Sequence, residues 1–397
     1  MDRTPSTLTF LCLVCLYLPL ASRASAQLAP PASFRGLGFL PNGGDESEAI
    51  AISSDGSTVV GVAQAVPDGG ELDTRAFLWR GTSHGGGQPI TSLGDLPGRR
   101  VFSRANGVSG NGGMVVGVSE SLNGFEAFAW MPATGMVGLG DLAGGIFDSQ
   151  AYAVSPDGRV IVGASASARS NTLTEAFRWT QQSGMLPLGD LPGGAFSSFA
   201  FGISADGATI VGAATSALGT EAFRWTAAAG MVSLGDLPGG VVLSKAYAAS
   251  ANGSVIVGYG TTPTGYESFV WSSATGMVNI GDFPGGITDS YAYGVSADGR
   301  VAVGYGTTGF TENFDDIREA LIWTRPTGIL KLKDVLIAEG QSMRAALTGW
   351  ELVEAYAVSA DGLSIVGTGT DPQGHEQAWI AHLSKLIPDE RDFIAAP

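Results

Sequence analysis

The side chains able to do chemistry recur along this chain at fixed intervals, and few of them converge. Asp95, Asp141, Asp190, Asp236, Asp282 and Asp334 each follow an L-G or a looser version of it. Six carboxylates at equivalent places on a ring could hold cations. An Asp ahead of Pro-Gly more ordinarily accepts hydrogen bonds from the backbone of its own turn, and the series is read that way. A second series, Asp55, Asn111, Asp157, Asp206, Asn252, Asp298 and Asp361, lies in S-x-D-G or S-x-N-G. It lacks the D-x-D-x-D-G ligand set of a calcium loop, and a sialidase Asp box needs a residue between Asp and Gly. Asp-Gly and Asn-Gly instead suit a tight hairpin, whose turn demands φ > 0.

Other chemistries find less support. His84, His375 and His382 show no metal-ligand grouping. No serine sits in G-x-S-x-G, and no phosphate loop or dinucleotide fingerprint is present. The acidic pair Asp315-Asp316 could serve a glycosidase but reads as a solvated loop. The sequence therefore assigns no catalytic residue, no metal site and no cofactor.

The elements that carry these residues are repeats. V-S-A-D-G-R-V-A-V-G (295–304) has six further copies, and a block ending in Trp79, Trp130, Trp179, Trp225, Trp271, Trp323 and Trp379 follows each copy. Seven of the eight tryptophans are thereby placed in one structural position. L-G-D-L-P-G-G stands intact at 188–194 and 234–240. From its Asp to the next turn Asp or Asn is 16 residues five times running, and from there to the Gly of V-x-V-G is 6 residues in all seven copies. Fixed spacings mean short turns between paired strands; the variable stretch from that Gly to the Trp is a surface loop.

Each unit reads as four strands: A-Y-A-V-S with one Ala per copy, V-I-V-G, E-A-F-R-W, and G-M-V-S-L-G-D-L. The Gly ending V-I-V-G suggests a bulge or a close backbone approach. Pro-Gly after the fourth strand suits a type II turn. Only residues 332–346 show a helical pattern, enough for a short helix. Such a sheet cannot bury two apolar faces alone, so neighbours must stack. Units of 46–63 residues fit propeller blades. The predicted fold is all-β, a seven-bladed β-propeller. A stray L-G-F-L-P-N-G-G at 37–44 lies 16 residues before Asp55. The N-terminal segment is therefore expected to supply the fourth strand of the last blade and leave no exposed edge there.

Residues 1–26 have the form of a secretory signal peptide: Arg3, an apolar run from Leu8 to Leu20, and Ala24-Ser25-Ala26 before Gln27. Both cysteines, Cys12 and Cys15, fall inside it. Loss of Arg3, Arg23 and Asp2 leaves 19 basic and 36 acidic side chains, a balance of −17. That charge disfavours nucleic acid and anionic lipid as partners. The expected organisation is a signal peptide (1–26), a repeat domain (27–386) and a C-terminal tail (387–397), secreted, monomeric and without stable membrane insertion.

S-A-D-G-x-x-V-V-G, E-A-F-x-W-T, G-M-x-x-L-G-D-L-P-G-G and S-x-A-Y-A-V-S together resemble the HAF family of extracellular repeat proteins. The likeness covers roughly residues 34–383. The His that names that family's motif is Glu126, Glu175 and Glu221 here. The resemblance implies export and repeat architecture, and it transfers no activity.

Function is then expected in the irregular parts. Gly304 to Trp323 spans 19 residues against a usual 13, Asp334 to Asp361 spans 27 against 16, and Gly61 to Trp79 spans 18. In a closed ring these insertions cluster over blades six, seven and one. They carry Asp68, Glu71, Asp73, Glu312, Phe314, Asp315, Asp316 and Trp350 as candidate ligand-binding residues for a polar ligand, glycan or protein. The reading is a non-catalytic binding module. An extracellular polysaccharide hydrolase or lyase is the alternative, and a purely structural surface component the third. Export makes one prediction: N-terminal sequencing of secreted material should begin at Gln27, and a cytoplasmic product retaining Met1 would contradict it.

Overall fold

The computed structural model describes residues 30–66, 73–81, 87–170, 173–311 and 316–387. They form seven antiparallel sheets of four strands each, in consecutive order in six and with the first strand of the chain joined to the last three in the seventh. The innermost strands, from blade one to blade seven, are Ser47–Ile52, Ser103–Val108, Ser149–Val154, Gly193–Ile203, Ser244–Ala249, Ser290–Val295 and Glu351–Val358. The seven-bladed β-propeller expected from the repeats is the observed fold. Residues 1–29, which include the segment expected to be a signal peptide, His84 and the tail from residue 388 lie outside the described residues.

One local contact repeats in every blade and explains two sequence features at once. The Gly of V-x-V-G (Gly61, Gly117, Gly163, Gly212, Gly258, Gly304, Gly367) lies against the innermost strand. A Cβ there would overlap the carbonyl oxygens of Glu48, Arg104, Gln150, Phe199, Lys245, Tyr291 and Glu354 in turn. Directly after that contact the innermost strand bulges, with a register shift between Ala49 and Ala51, Ala151 and Ala153, and the five equivalents. The residue inside each bulge has no partner across the ladder. Its side chain is re-aimed, and the consequence appears at the channel below.

The S-x-D-G turns differ from the tight hairpin expected. Gly56 N–H donates to the Ser53 carbonyl, and only the glycine is left-handed, with φ of 72°. A two-residue turn of the primed type would need positive φ at both central positions. The Asp keeps a negative φ, and its carboxylate ties the turn together. Asp55 Oδ1 accepts from Ser53 Oγ at 2.6 Å and from the Ser57 N–H at 3.0 Å, while Ser53 Oγ accepts from the Thr58 N–H. These hydrogen bonds hold the Asp55 carboxyl below its usual range despite partial burial. The x residues of neighbouring turns are also linked: Ala251 N–H reaches Ala297 O, Ala297 N–H reaches Ala360 O, and Ala360 N–H reaches Ser54 O. That chain carries the ring across the junction of its ends.

Between blades the core is aliphatic and aromatic. Phe77, Phe128, Phe177, Phe223, Phe269, Leu321 and Trp379 stand opposite the seven glycines and are fully buried. This corrects the equivalence of the seven tryptophans. Trp379 pairs with Gly367 and takes the Phe place, whereas Trp79, Trp130, Trp179, Trp225, Trp271 and Trp323 lie two residues further on. In blade seven that later place is Ala381, and Phe34 and Trp350 join Trp379 in the same buried cluster. Buried aromatic side chains of this size contribute about 1.5–3 kcal/mol each.

A polar latch accompanies the apolar packing. Ser149 Oγ donates to the Gly140 carbonyl at 2.7 Å and accepts from the Ala127 N–H of the preceding blade at 2.9 Å. Ser47, Ser103, Ser198, Ser244 and Ser290 repeat both bonds. Ser47 spans the junction, bonding Gly38 O and the Ala378 N–H. The N-terminal strand Ser33–Gly36 pairs antiparallel with Glu376–His382 and completes blade seven, as the stray repeat block implied. His375 adds to the seam, its Nδ1 3.2 Å from Asp371 Oδ2 and its ring edge-on to Phe39.

Between blades six and seven the chain forms two short helices, Leu332–Ala338 and Gln341–Ala346. Leu332, Leu336, Met343 and Leu347 are buried there. Asp334 therefore sits in a helical turn, outside the series of crossing carboxylates to which its spacing assigned it. The latch is open to test by urea denaturation. Ser47→Ala leaves a buried N–H and carbonyl without their shared partner and should cost about 1–3 kcal/mol. Ser57→Ala, on the exposed side of a turn, should change stability by less than about 0.5 kcal/mol. Equal effects would mean that strand pairing alone closes the ring.

Candidate functional site

The seven bulged residues are Ile50, Asn106, Tyr152, Phe201, Tyr247, Tyr293 and Tyr356. All seven line a cavity of about 230 Å³ on the propeller axis. Five consecutive blades thus present an aromatic ring to the channel, and the other two present Ile and Asn. Neighbouring rings touch in blade order: Tyr152 to Phe201 at 5.3 Å, Phe201 to Tyr247 at 5.3 Å, Tyr247 to Tyr293 at 5.1 Å, and Tyr293 to Tyr356 at 5.4 Å.

A second aromatic layer joins the first toward the face where the innermost strands begin. Tyr259 and Tyr305 follow the close-approach glycines of blades five and six, and Tyr291 precedes the Ala of blade six. Tyr291 is 4.4 Å from Tyr259 and 4.8 Å from Tyr305, and Tyr266 packs edge-on to Tyr259 at 5.6 Å. Eight of the chain's nine tyrosines, all but Tyr17, belong to this one network. Most are half-buried, and Tyr266 is exposed.

Charged groups rim the aromatic layer. Arg318 lies over the Tyr305 ring at 4.9 Å, donates from Nη1 to Glu354 Oε1 at 2.8 Å and has Nη2 3.7 Å from Asp316. Glu48 and Arg104 form a looser pair at 3.7 Å on the non-aromatic side. Lys245, half-buried in blade five, has its ammonium pushed down by burial. Glu376 is pushed up by burial and by the nearby carboxylates of Glu48, Glu46 and Glu354. Burial, reinforced by neighbouring acids and tyrosines, raises Tyr152 and Tyr259 to about 12 and shifts Tyr247, Tyr291, Tyr293, Tyr305 and Tyr356 upward as well.

Of the described residues singled out from loop lengths, Asp316 alone reaches this rim, through Arg318. Asp73 lies on blade one, capping the Thr74 N–H at 2.8 Å. Trp350 is buried in the blade-seven core, edge-on to Phe34 at 5.1 Å. Asp68, Glu71, Glu312, Phe314 and Asp315 lie outside the described residues. The crossing carboxylates Asp190, Asp236 and Asp282 accept backbone N–H bonds from their own turns, as their sequence context implied. Among the described residues no group of three or more His, Cys, Asp or Glu is arranged to hold a metal ion. The tyrosines went unnoticed because a Tyr in a strand is ordinary. The signal was their shared offset, one residue after the Ala of each repeat.

Neither a protein-family model nor a curated protein matches the chain. Solved structures do. An oligogalacturonate lyase from Vibrio parahaemolyticus superposes with a TM-score of 0.52 at 11% identity, over 91% of this chain and 98% of the lyase. TolB from Acinetobacter baumannii gives 0.43 at 10%, over 83% of this chain and 64% of TolB, so the chain spans less than two thirds of that protein's length. A gluconolactonase from Xanthomonas campestris gives 0.39 at 12%, over 90% and 92%. At these identities the likeness is one of fold.

The tyrosine shifts carry a pH dependence. A phenol whose folded pKa exceeds its unfolded value near 10 holds its proton longer in the native state. Its stabilising contribution is complete below pH 10 and is lost as pH rises toward 12. Absorbance at 295 nm should therefore show little tyrosine ionisation at pH 10–11 while the fold persists, and alkaline unfolding should release it in one step. A smooth titration centred at pH 10 on folded protein would mean that the network is open to water.

Proposed function

We propose that the protein is a non-catalytic binding module whose ligand seats on the tyrosine-lined mouth of the axial channel. The observation that carries this reading is the convergence of eight tyrosines from four blades on one side of a single opening. Rigid amphipathic rings offer contact area at low entropic cost, and each phenol adds a polar tip. Arg318, Lys245, Glu354 and Glu48 at the rim supply the few oriented polar groups that such a site uses for specificity. A ligand with alternating apolar and hydroxylated faces fits this lining, and a glycan segment has that character. The acidic balance of the chain disfavours polyanions. The resemblance of the repeats to extracellular HAF proteins supports a module that works outside the cell.

Screening a neutral and acidic oligosaccharide panel by calorimetry tests the reading. Tyr266→Ala combined with Tyr291→Ala should weaken any glycan bound by the parent protein at least tenfold while leaving the fold intact by circular dichroism. Undiminished binding would move the site away from the mouth. The polysaccharide-active alternative has a test of its own at Glu376, on the exposed start of its strand, whose carboxyl is pushed up by partial burial and by the carboxylates of Glu48, Glu46 and Glu354. Release of shorter products from a bound glycan, abolished by Glu376→Gln, would establish that alternative over simple binding.

A further inference from the structure

The repeats allow one blade to be read against the others. In every blade from two to six, a Glu precedes the small residue that opens the buried part of the third strand: Glu126, Glu175, Glu221, Glu267 and Glu319. The outer strand supplies its partner. Ser233 Oγ donates to Glu221 Oε1 at 2.7 Å, Asn279 Nδ2 to Glu267 Oε2 at 2.6 Å, and Lys331 Nζ to Glu319 Oε1 at 2.7 Å. In blade two, where that place is Gly138, the backbone N–H of Gly140 reaches Glu126 Oε1 at 3.1 Å. Blade three has Pro187 in the same place, opposite Phe177 as Ser233 is opposite Phe223. Proline has neither a side-chain donor nor an N–H.

The result is a buried carboxylate oxygen without a hydrogen-bond partner. Glu175 is 1% exposed, and its Oε1 has no hydrogen-bond partner. Asp190 follows Gly189, which pairs across the ladder with Ala176, the neighbour of Glu175; its Oδ2 accepts from the Ser197 N–H, while its Oδ1 is also buried and unpartnered, as is Thr174 Oγ1 beside Glu175. The nearest cation, Arg169, keeps a mostly exposed side chain over Phe196 and brings Nη1 only to 4.0 Å from Glu175 Oε1. Buried charge without pairing is strongly disfavoured. In blade one the Glu is replaced by Arg75, which pairs with Asp95 at 3.0 Å, so the scaffold accepts a positive charge at this place.

We propose that Glu175 and Asp190 hold a divalent cation of the calcium type in blade three. Hard oxygen ligands, two of them charged, are the donor set that calcium takes, with hydroxyl, carbonyl and water oxygens completing its shell. The site is distinct from the tyrosine mouth and does not depend on what binds there. Its role is structural, fixing the third strand of blade three to the crossing that leads into blade four.

Scanning fluorimetry on chelator-treated protein tests this. Calcium chloride between about 0.1 and 10 mM should raise Tm by several degrees, beyond any effect of sodium chloride at equal ionic strength, with affinity in the range of extracellular calcium modules. Glu175→Gln should abolish the response. Glu221→Gln, whose partner Ser233 is in place, should retain it. Because Glu175→Gln could perturb folding, Pro187→Ser is the second arm. It installs the donor that blade four uses, and should raise Tm of the chelated protein and weaken calcium binding at least tenfold. No calcium response in the parent protein overturns the proposal, as does a response that survives Glu175→Gln. A chelated protein stabilised by mild acid and indifferent to calcium would assign the pair a shared proton instead.

Discussion

The close approach of the innermost strand to the glycine beside it is the contact on which the rest of the molecule depends. Seven strands must run side by side near one axis, where there is little room. Removing the Cβ from the second strand lets the first strand's carbonyl sit against it. The fully buried Phe, Leu or Trp opposite then fills the volume on the far side. The bulge that follows turns one side chain per blade into the channel. Without the glycine the strands would separate, the bulge would relax, and the aromatic lining would have nothing to aim it. The same constraint that permits a propeller of this curvature therefore creates its axial site.

Much of the fold was legible because turn chemistry and spacing are local. Asp55-Gly56 and its equivalents mark the inner hairpins, and constant offsets show which strands pair. The junction was legible for the same reason, since the block at 37–44 kept its distance from Asp55 after the rest of its blade had moved to the other end of the chain. Errors arose where a residue type was taken for a position. Trp379 looks like the six other repeat tryptophans, yet it stands 12 residues after its paired glycine where Phe128, Phe223 and Phe269 stand 11 after theirs, so its ring falls in the Phe place. Asp334 keeps the look of a crossing carboxylate but is wound into a helix by Leu332 and Leu336, which need burial between blades.

The site was less legible than the fold, and the reason is geometric. Tyr152, Tyr247, Tyr293 and Tyr356 are 46 to 95 residues apart in sequence. Nothing in any single repeat distinguishes a tyrosine that faces a channel from one that covers a blade. Only closure of the ring makes equal offsets equal heights on one axis. Loop length, the cue used in its place, identified surface variation. It reached the mouth at Asp316, through Arg318, while Trp350 in the long crossing was drawn into the core beside Phe34.

A symmetric scaffold also makes its asymmetries informative. The fold offers seven equivalent bulges and places no demand on the side chain within them beyond reaching the channel, as Ile50 and Asn106 show. Packing therefore does not explain why blades three to seven all carry an aromatic there, nor why Tyr259, Tyr266, Tyr291 and Tyr305 thicken the layer over blades five and six. Each phenol brings a hydroxyl that must keep water or a hydrogen-bond partner when its ring is packed, a demand that seven small apolar residues would not make. Structure alone would have settled for the cheaper lining. The concentration of tyrosines on one arc of one opening is thus the feature of this propeller that architecture does not require, and it is where selection for binding would leave its mark.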